Sequence, residues 1–162
     1  MIGLPGGVVN YTENDLPTVI DAGATLTDAD SLDFDNGQLR VDLIVGGTAN
    51  DRLAIHHQGT AGGQIGVSGN TVSYGGTDIG TFAGGDGTSP LVVTFNSSAT
   101  VVAVEAVIQN TTYQNVSDDP SSIPRTVRFA VTDGDGAASN VAVSYTHLRA
   151  HETPEHLVCR LL

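Results

Sequence analysis

From residue 17 to residue 143 the chain runs in short β-branched stretches of alternating apolar and polar positions, separated by Gly, Asn, Asp and Ser. Side chains two apart share one face of a strand, so this texture predicts antiparallel β-structure with tight connections. The stretches place strands over 18–20, 38–45, 52–57, 64–67, 71–74, 77–82, 91–95, 111–116, 126–132 and 138–143. Alternation is clearest in Leu39-Arg40-Val41-Asp42-Leu43-Ile44-Val45 and in Val127-Arg128-Phe129-Ala130-Val131, which are expected to be central strands with Arg40, Asp42 and Arg128 facing out. Ser68-Gly69-Asn70, Tyr74-Gly75-Gly76 and Asp133-Gly134-Asp135-Gly136 lie between stretches and supply hairpin turns. The segment 98–109 fits two periods: Val101, Val104, Val107 and Ile108 share a helical face behind a Ser98 N-cap, and Val102, Val104, Ala106 and Ile108 share a strand face. A short helix is favoured. The expected fold is all-β, an antiparallel β-sandwich with a Gly-rich meander over 59–87.

At 162 residues the chain suits one domain with a core of its own. Acidic residues outnumber basic ones 18 to 6 and the formal charge is −12. All the basic residues are Arg. Nucleic acid and anionic lipid are therefore poor partners and cations better ones. The longest aliphatic stretch, 101–108, is broken by Glu105 and is too short for membrane insertion. Cys159 is the only cysteine, so no internal disulfide can staple the fold. Met1-Ile2-Gly3-Leu4-Pro5-Gly6-Gly7 has neither a charged nor an apolar leader pattern and reads as an internal segment of something longer.

After Val143 the texture changes. Residues 145–162 lack Gly and Asp and hold Cys159 with His147, His151 and His156, three of the five histidines. Ser144-Tyr145-Thr146-His147-Leu148-Arg149-Ala150-His151-Glu152-Thr153 and Leu157-Val158-Cys159-Arg160-Leu161-Leu162 resemble a translated sequencing-adapter peptide. The expected organisation is a linker and first strand over 1–16, the sandwich over 17–143 and a non-native tail over 144–162.

Carboxylates gather where strands should end, in Glu13-Asn14-Asp15, Asp28-Ala29-Asp30, Asp33-Phe34-Asp35, Asp118-Asp119 and Asp133-Gly134-Asp135. Residues i and i+2 point to opposite faces of a strand, so each pair can converge only in a loop. Converging carboxylates need raised pKa values or a bound cation. Calcium suits them, because it takes six to eight oxygen ligands in loose geometry. Turn capping by Asp accounts for any single pair, and only the whole set argues for metal. Asp28-Ala29-Asp30-Ser31-Leu32-Asp33 lacks the Gly and terminal Glu of an EF-hand, and Gly84-Gly85-Asp86-Gly87 lacks a nonapeptide repeat.

Tyr11-Thr12-Glu13-Asn14-Asp15, Thr27-Asp28-Ala29-Asp30-Ser31, Thr112-Tyr113-Gln114-Asn115-Val116-Ser117-Asp118-Asp119-Pro120 and Arg125-Thr126-Val127-Arg128-Phe129-Ala130-Val131-Thr132-Asp133-Gly134-Asp135-Gly136 together resemble the cadherin-like tandem repeats of large bacterial surface and RTX-type adhesins. The similarity covers most of residues 8–143. It implies an Ig-like or cadherin-like sandwich, joined end to end to neighbouring repeats, on the cell surface or secreted, with Ca2+ at the junctions. Carried over by position, it implies metal-ligand roles for Glu13, Asp15, Asp28, Asp30, Asp133 and Asp135, with Asp118 and Asp119 as weaker candidates.

Enzymatic readings find less support. His151-Glu152-Thr153-Pro154-Glu155-His156 misses the zincin spacing by one residue and is interrupted by Pro154. His147 and His151 share a helical spacing without a third ligand. His56 and His57 fall in an expected strand, one ring buried and the other exposed. Paired carboxylates could serve glycoside hydrolysis, but aromatics are 5% and Trp is absent. Sequons begin at Asn10, Asn96, Asn110 and Asn115 and decide nothing without the host. The leading expectation is a non-catalytic, calcium-stabilised extender repeat of an adhesin. The alternatives are a module binding surface glycan or protein through the meander, with Tyr74 and Phe82 as the nearest rings, and a fragment of an extracellular hydrolase.

Overall fold

The computed structural model describes residues 1–12, 15–29, 33–135 and 140–151, the last of these as backbone. Strands take up 43% of the chain and there is one helix among the described residues, so the fold is all-β and sandwich-like. Its centre forms where the alternation is strongest. β5 (Gln38–Val45) lies between β10 (Leu91–Phe95) and β12 (Arg125–Thr132). Phe129 and Leu91 both face Val41, while Val131 and Val93 both face Leu39. All six are buried. On the opposite face Arg128 stands directly across from Asp42 and grips it with Nε and Nη2 at 3.0 and 2.5 Å.

The sheet extends from β10 through β9 (Thr77–Ala83) and β8 (Thr71–Tyr74) to β7 (Ile65–Ser68), and from β12 through β13 (Asn140–His151) to β2 (Asn10–Thr12). The residue-144 change of texture thus falls inside β13. Neighbours in this eight-stranded sheet are antiparallel except β13 and β2, which are parallel. The β8–β9 turn needs two successive positive φ angles, 58° at Gly75 and 82° at Gly76, and only a glycine pair adopts these without strain. A second sheet orders β3 (Thr18–Val19), β11 (Thr111–Asn115) and β6 (Asp51–Ile55), and β1 (Ile2–Gly3) pairs with β4 (Thr25–Leu26). One hydrophobic core joins all three.

The helix, α1 (Val101–Gln109), carries the chain from the first sheet to the second. Its N-cap is Thr100, two residues beyond the expected Ser98: the Thr100 hydroxyl accepts the Ala103 N–H at 3.3 Å. Ala103, Val104, Val107 and Ile108 are buried and Val102 is 59% exposed, which settles the period as helical. Glu105, the break in the aliphatic stretch, accepts the Leu26 N–H at 2.7 Å, and Gln109 one turn on donates to the Ala24 carbonyl at 2.7 Å. Two polar side chains at i and i+4 therefore fasten the helix to β4.

The two adjacent histidines depart from expectation. β6 ends at Ile55, His56 donates its N–H to the Asn110 carbonyl at 2.8 Å, and both rings are exposed. The chain has left the strand before either side chain can alternate. Among the described residues no helix is long and apolar enough to cross a membrane.

Candidate functional site

Three of the carboxylates expected to bind metal, Asp15, Asp133 and Asp135, lie by the two ends of β12. Asp133 and Asp135 follow its last residue, Thr132. Asp133 Oδ1 accepts the Asp135 N–H at 3.0 Å, and Asp33 Oδ1 accepts the Asp35 N–H in the same way at 3.0 Å. These two Asx turns touch. Gly134 sits at φ 93° against the Asp35 carbonyl, so close that any side chain there would collide with it.

Asp15 lies at the opposite end. Its carboxylate accepts the Thr12 N–H at 3.0 Å, and its carbonyl accepts the Tyr11 hydroxyl, which also reaches the Asn115 carbonyl. Asn115 bonds to Asp51, and Asp51 pairs with Arg125, the first residue of β12. The intervening strand spans on the order of 23 Å at about 3.3 Å per residue. A calcium–oxygen distance is roughly 2.3–2.6 Å. Asp15 and the Asp133–Asp135 turn therefore cannot share an ion. Asp28 is half-buried just after β4, Asp118 and Asp119 are exposed between β11 and β12, and Glu13 and Asp30 lie outside the described residues, as do the side chains of His147, His151 and His156. Among the described residues no three His, Cys, Asp or Glu side chains come together to hold a metal. The described part of the expected calcium set does not fit one coordination sphere.

The structure instead gathers ionisable groups in the interior, at the Arg125 end. Asp51 is fully buried where β6 begins, Arg125 where β12 begins, and Tyr113 and Asn115 project from β11. Asp51 Oδ1 accepts the Tyr113 hydroxyl at 2.5 Å and the Asn115 amide at 2.7 Å, and its Oδ2 accepts the Thr48 N–H at 2.6 Å and hydroxyl at 2.9 Å. Arg125 Nε lies 3.5 Å from Asp51 Oδ1. Its Nη1 donates to the Ile123 carbonyl at 2.8 Å and to the Ser121 carbonyl, while Nε and Nη2 have no hydrogen-bond partner among the described residues. Tyr11 completes the cluster, edge-on to Tyr113 with ring centroids 5.4 Å apart.

The electrostatics follow from burial. Desolvation raises the Tyr113 phenol well above the ordinary tyrosine range, and the hydrogen bond to Asp51 and its negative charge add to the shift. Desolvation also raises the Tyr11 phenol. A buried carboxylate beside a phenol could in principle move a proton. Here Asp51, Arg125 and Tyr113 are no more than 1% exposed, so no substrate reaches them. What the cluster does is mechanical: Arg125 belongs to the large sheet, Asp51, Tyr113 and Asn115 to the small one, and their contacts tie the two together.

None of these residues stood among the expected ligands, yet the alternation carried the signal. Counting back by twos from Val131, Phe129 and Val127 reaches Arg125, and from Ile55 and Leu53 it reaches Asp51. The expected strands began one residue too late, at 126 and 52. The other buried carboxylate, Asp21, is used locally, accepting the Gly6 and Gly23 N–H groups at 2.9 and 3.0 Å. No family model, curated protein or solved structure matches the chain.

Proposed function

We propose that the chain is a non-catalytic structural repeat, an extender module of a secreted or cell-surface adhesin. The observation that carries this reading is the sealed Asp51–Arg125–Tyr113 cluster. The densest ionisable chemistry among the described residues is spent on fastening one sheet to the other, as a load-transmitting domain without disulfides requires. Two further features support it: the order of acidic motifs along the sequence, and polar side chains that fasten elements elsewhere in the fold, such as Glu105 on Leu26. The described carboxylates do not form one coordination sphere and Glu13 and Asp30 lie outside the described residues, so the reading rests on the cluster rather than on calcium. Small-angle scattering from two copies joined head to tail tests the reading. An extender gives a rod whose longest dimension is about twice that of one copy. A pair that folds back into a compact particle overturns it.

A further inference from the structure

We infer that Asn36-Gly37 is a self-modification site, where an amide-to-acid conversion is held shut by the closed turn and released whenever the turn opens. The turn leads from Phe34 into β5, and its hydrogen bond runs from the Gly37 N–H to the Phe34 carbonyl at 2.8 Å. Asn36, at its third position, has a φ of 62°, the one positive φ outside glycine among the described residues. Asn is one of the few residues with a side chain that adopt this conformation readily. Gly37 is required for a different reason: a Cβ there would collide with the Thr132 carbonyl oxygen at the end of β12. Backbone geometry thus selects both residues, and no other asparagine in the chain precedes a glycine.

The pair is chemically labile because glycine has no side chain to hinder attack by its nitrogen on the neighbouring carboxamide. Gly37 N gives up its proton and bonds to Asn36 Cγ, closing a five-membered succinimide. The Cγ–Nδ2 bond breaks, and the leaving nitrogen takes up a proton and departs as ammonia. Water then opens the ring at either carbonyl, leaving aspartate, or isoaspartate with the main chain routed through the side-chain carbon. One water is consumed, one ammonia is released and one negative charge is gained.

The closed turn opposes the first step. The nitrogen that must attack has its proton committed to Phe34. The main chain on both sides of it is tied to the end of β10, the Asn36 N–H donating to the Phe95 carbonyl at 3.3 Å and the Gly37 carbonyl accepting the Phe95 N–H at 2.9 Å. The carboxamide is held as well, Nδ2 donating to Asp35 Oδ2 at 3.0 Å. Negative charge on Asp33 and Asp35 in the same turn, and on Asp133 in the turn that touches it, further disfavours an anionic nitrogen. Asn36 is exposed, so conformation and not access to water sets the rate. Conversion is one-way: it adds a carboxylate to an end of β12 that already gathers four, and isoaspartate lengthens the backbone that the turn must close. The site is independent of the extender reading.

Mass spectrometry of the whole chain, kept at pH 8 either folded or unfolded in urea and then digested in acid, provides the test. In urea Asn36 is expected to convert ahead of every other asparagine. In the folded chain it should convert at least roughly tenfold more slowly, the worth of two ordinary hydrogen bonds. As urea is raised below the unfolding transition, that slowdown should shrink in step with the protection of the Gly37 amide against hydrogen exchange, because both need the same local opening. Gly134→Ala, whose new Cβ would collide with the Asp35 carbonyl, should force the turn open and speed conversion severalfold in the folded chain. If that variant does not fold, the wild-type comparison decides alone. Another asparagine converting first in urea, or none converting, overturns the site. Equal rates in folded and unfolded chain, a slowdown unrelated to Gly37 protection, or a folded Gly134→Ala that converts at the wild-type rate overturns the shut turn.

Discussion

Asp51 and Arg125 are both buried and face each other at 3.5 Å, but they are not equally provided for. Asp51 accepts four hydrogen bonds besides the ion pair, and Arg125 keeps two nitrogens without one among the described residues. Removing the better-satisfied member leaves the worse one stranded. Asp51→Asn is therefore expected to cost about 3–5 kcal/mol in urea unfolding, the usual penalty for an uncompensated buried charge. Arg125→Met leaves a carboxylate that is still hydrogen-bonded and should cost less, about 1–3 kcal/mol. The double substitution should be more stable than the sum of the two predicts, because neither charge remains to be stranded. Strict additivity across that cycle would mean the pair does not couple the sheets.

At the scale of elements, α1 shows how far the sequence could be read. Its existence followed from the spacing of Val101, Val104, Val107 and Ile108, but its start did not, because Ser98 and Thr100 are both competent N-caps. Chain geometry decides between them. Ser98 belongs to the turn that leaves β10, where its N–H goes to Asn96 Oδ1 at 2.8 Å, and the first carbonyl to accept a helical bond is that of Thr100, from the Val104 N–H at 2.9 Å. Thr100→Ala should lower stability by about 1 kcal/mol, whereas Ser98→Ala should stay within about 0.5 kcal/mol of wild type. Thermal or urea denaturation of the two variants distinguishes them, and the reverse ranking would return the cap to Ser98. The strands β5, β8 and β10 had the bounds that alternation assigned, 38–45, 71–74 and 91–95. Over 1–16 one first strand was expected where the structure has β1 and β2, and β4 was not legible, because two or three residues cannot display a period of two.

Across the whole molecule, the least legible property was where separate acidic motifs end up. Local sequence puts each pair in a turn, and the Asx bonds at Asp33 and Asp133 agree, but only topology sends Asp15 to one end of β12 and Asp133 to the other. The −12 charge is consequently spread over the body, since Glu152 and Glu155 balance Arg149 and Arg160 after residue 143. Spread charge and a bound ion respond differently to salt. Self-repulsion is screened by any electrolyte once the Debye length falls to about 10 Å, near 0.1 M. A specific site held at a hundred times its dissociation constant adds about 2.7 kcal/mol on top of that. For a chain of this size such a gain raises the melting midpoint by roughly 5–10 °C, at about 2–4 °C per kcal/mol. The expectation here is a rise in midpoint as sodium chloride goes from low to physiological strength. Calcium should then add no further shift over chelator at matched ionic strength. A calcium-specific rise of the size just given would mean that carboxylates converge on an ion after all, with the segments around Glu13 and Asp30 the first places to substitute.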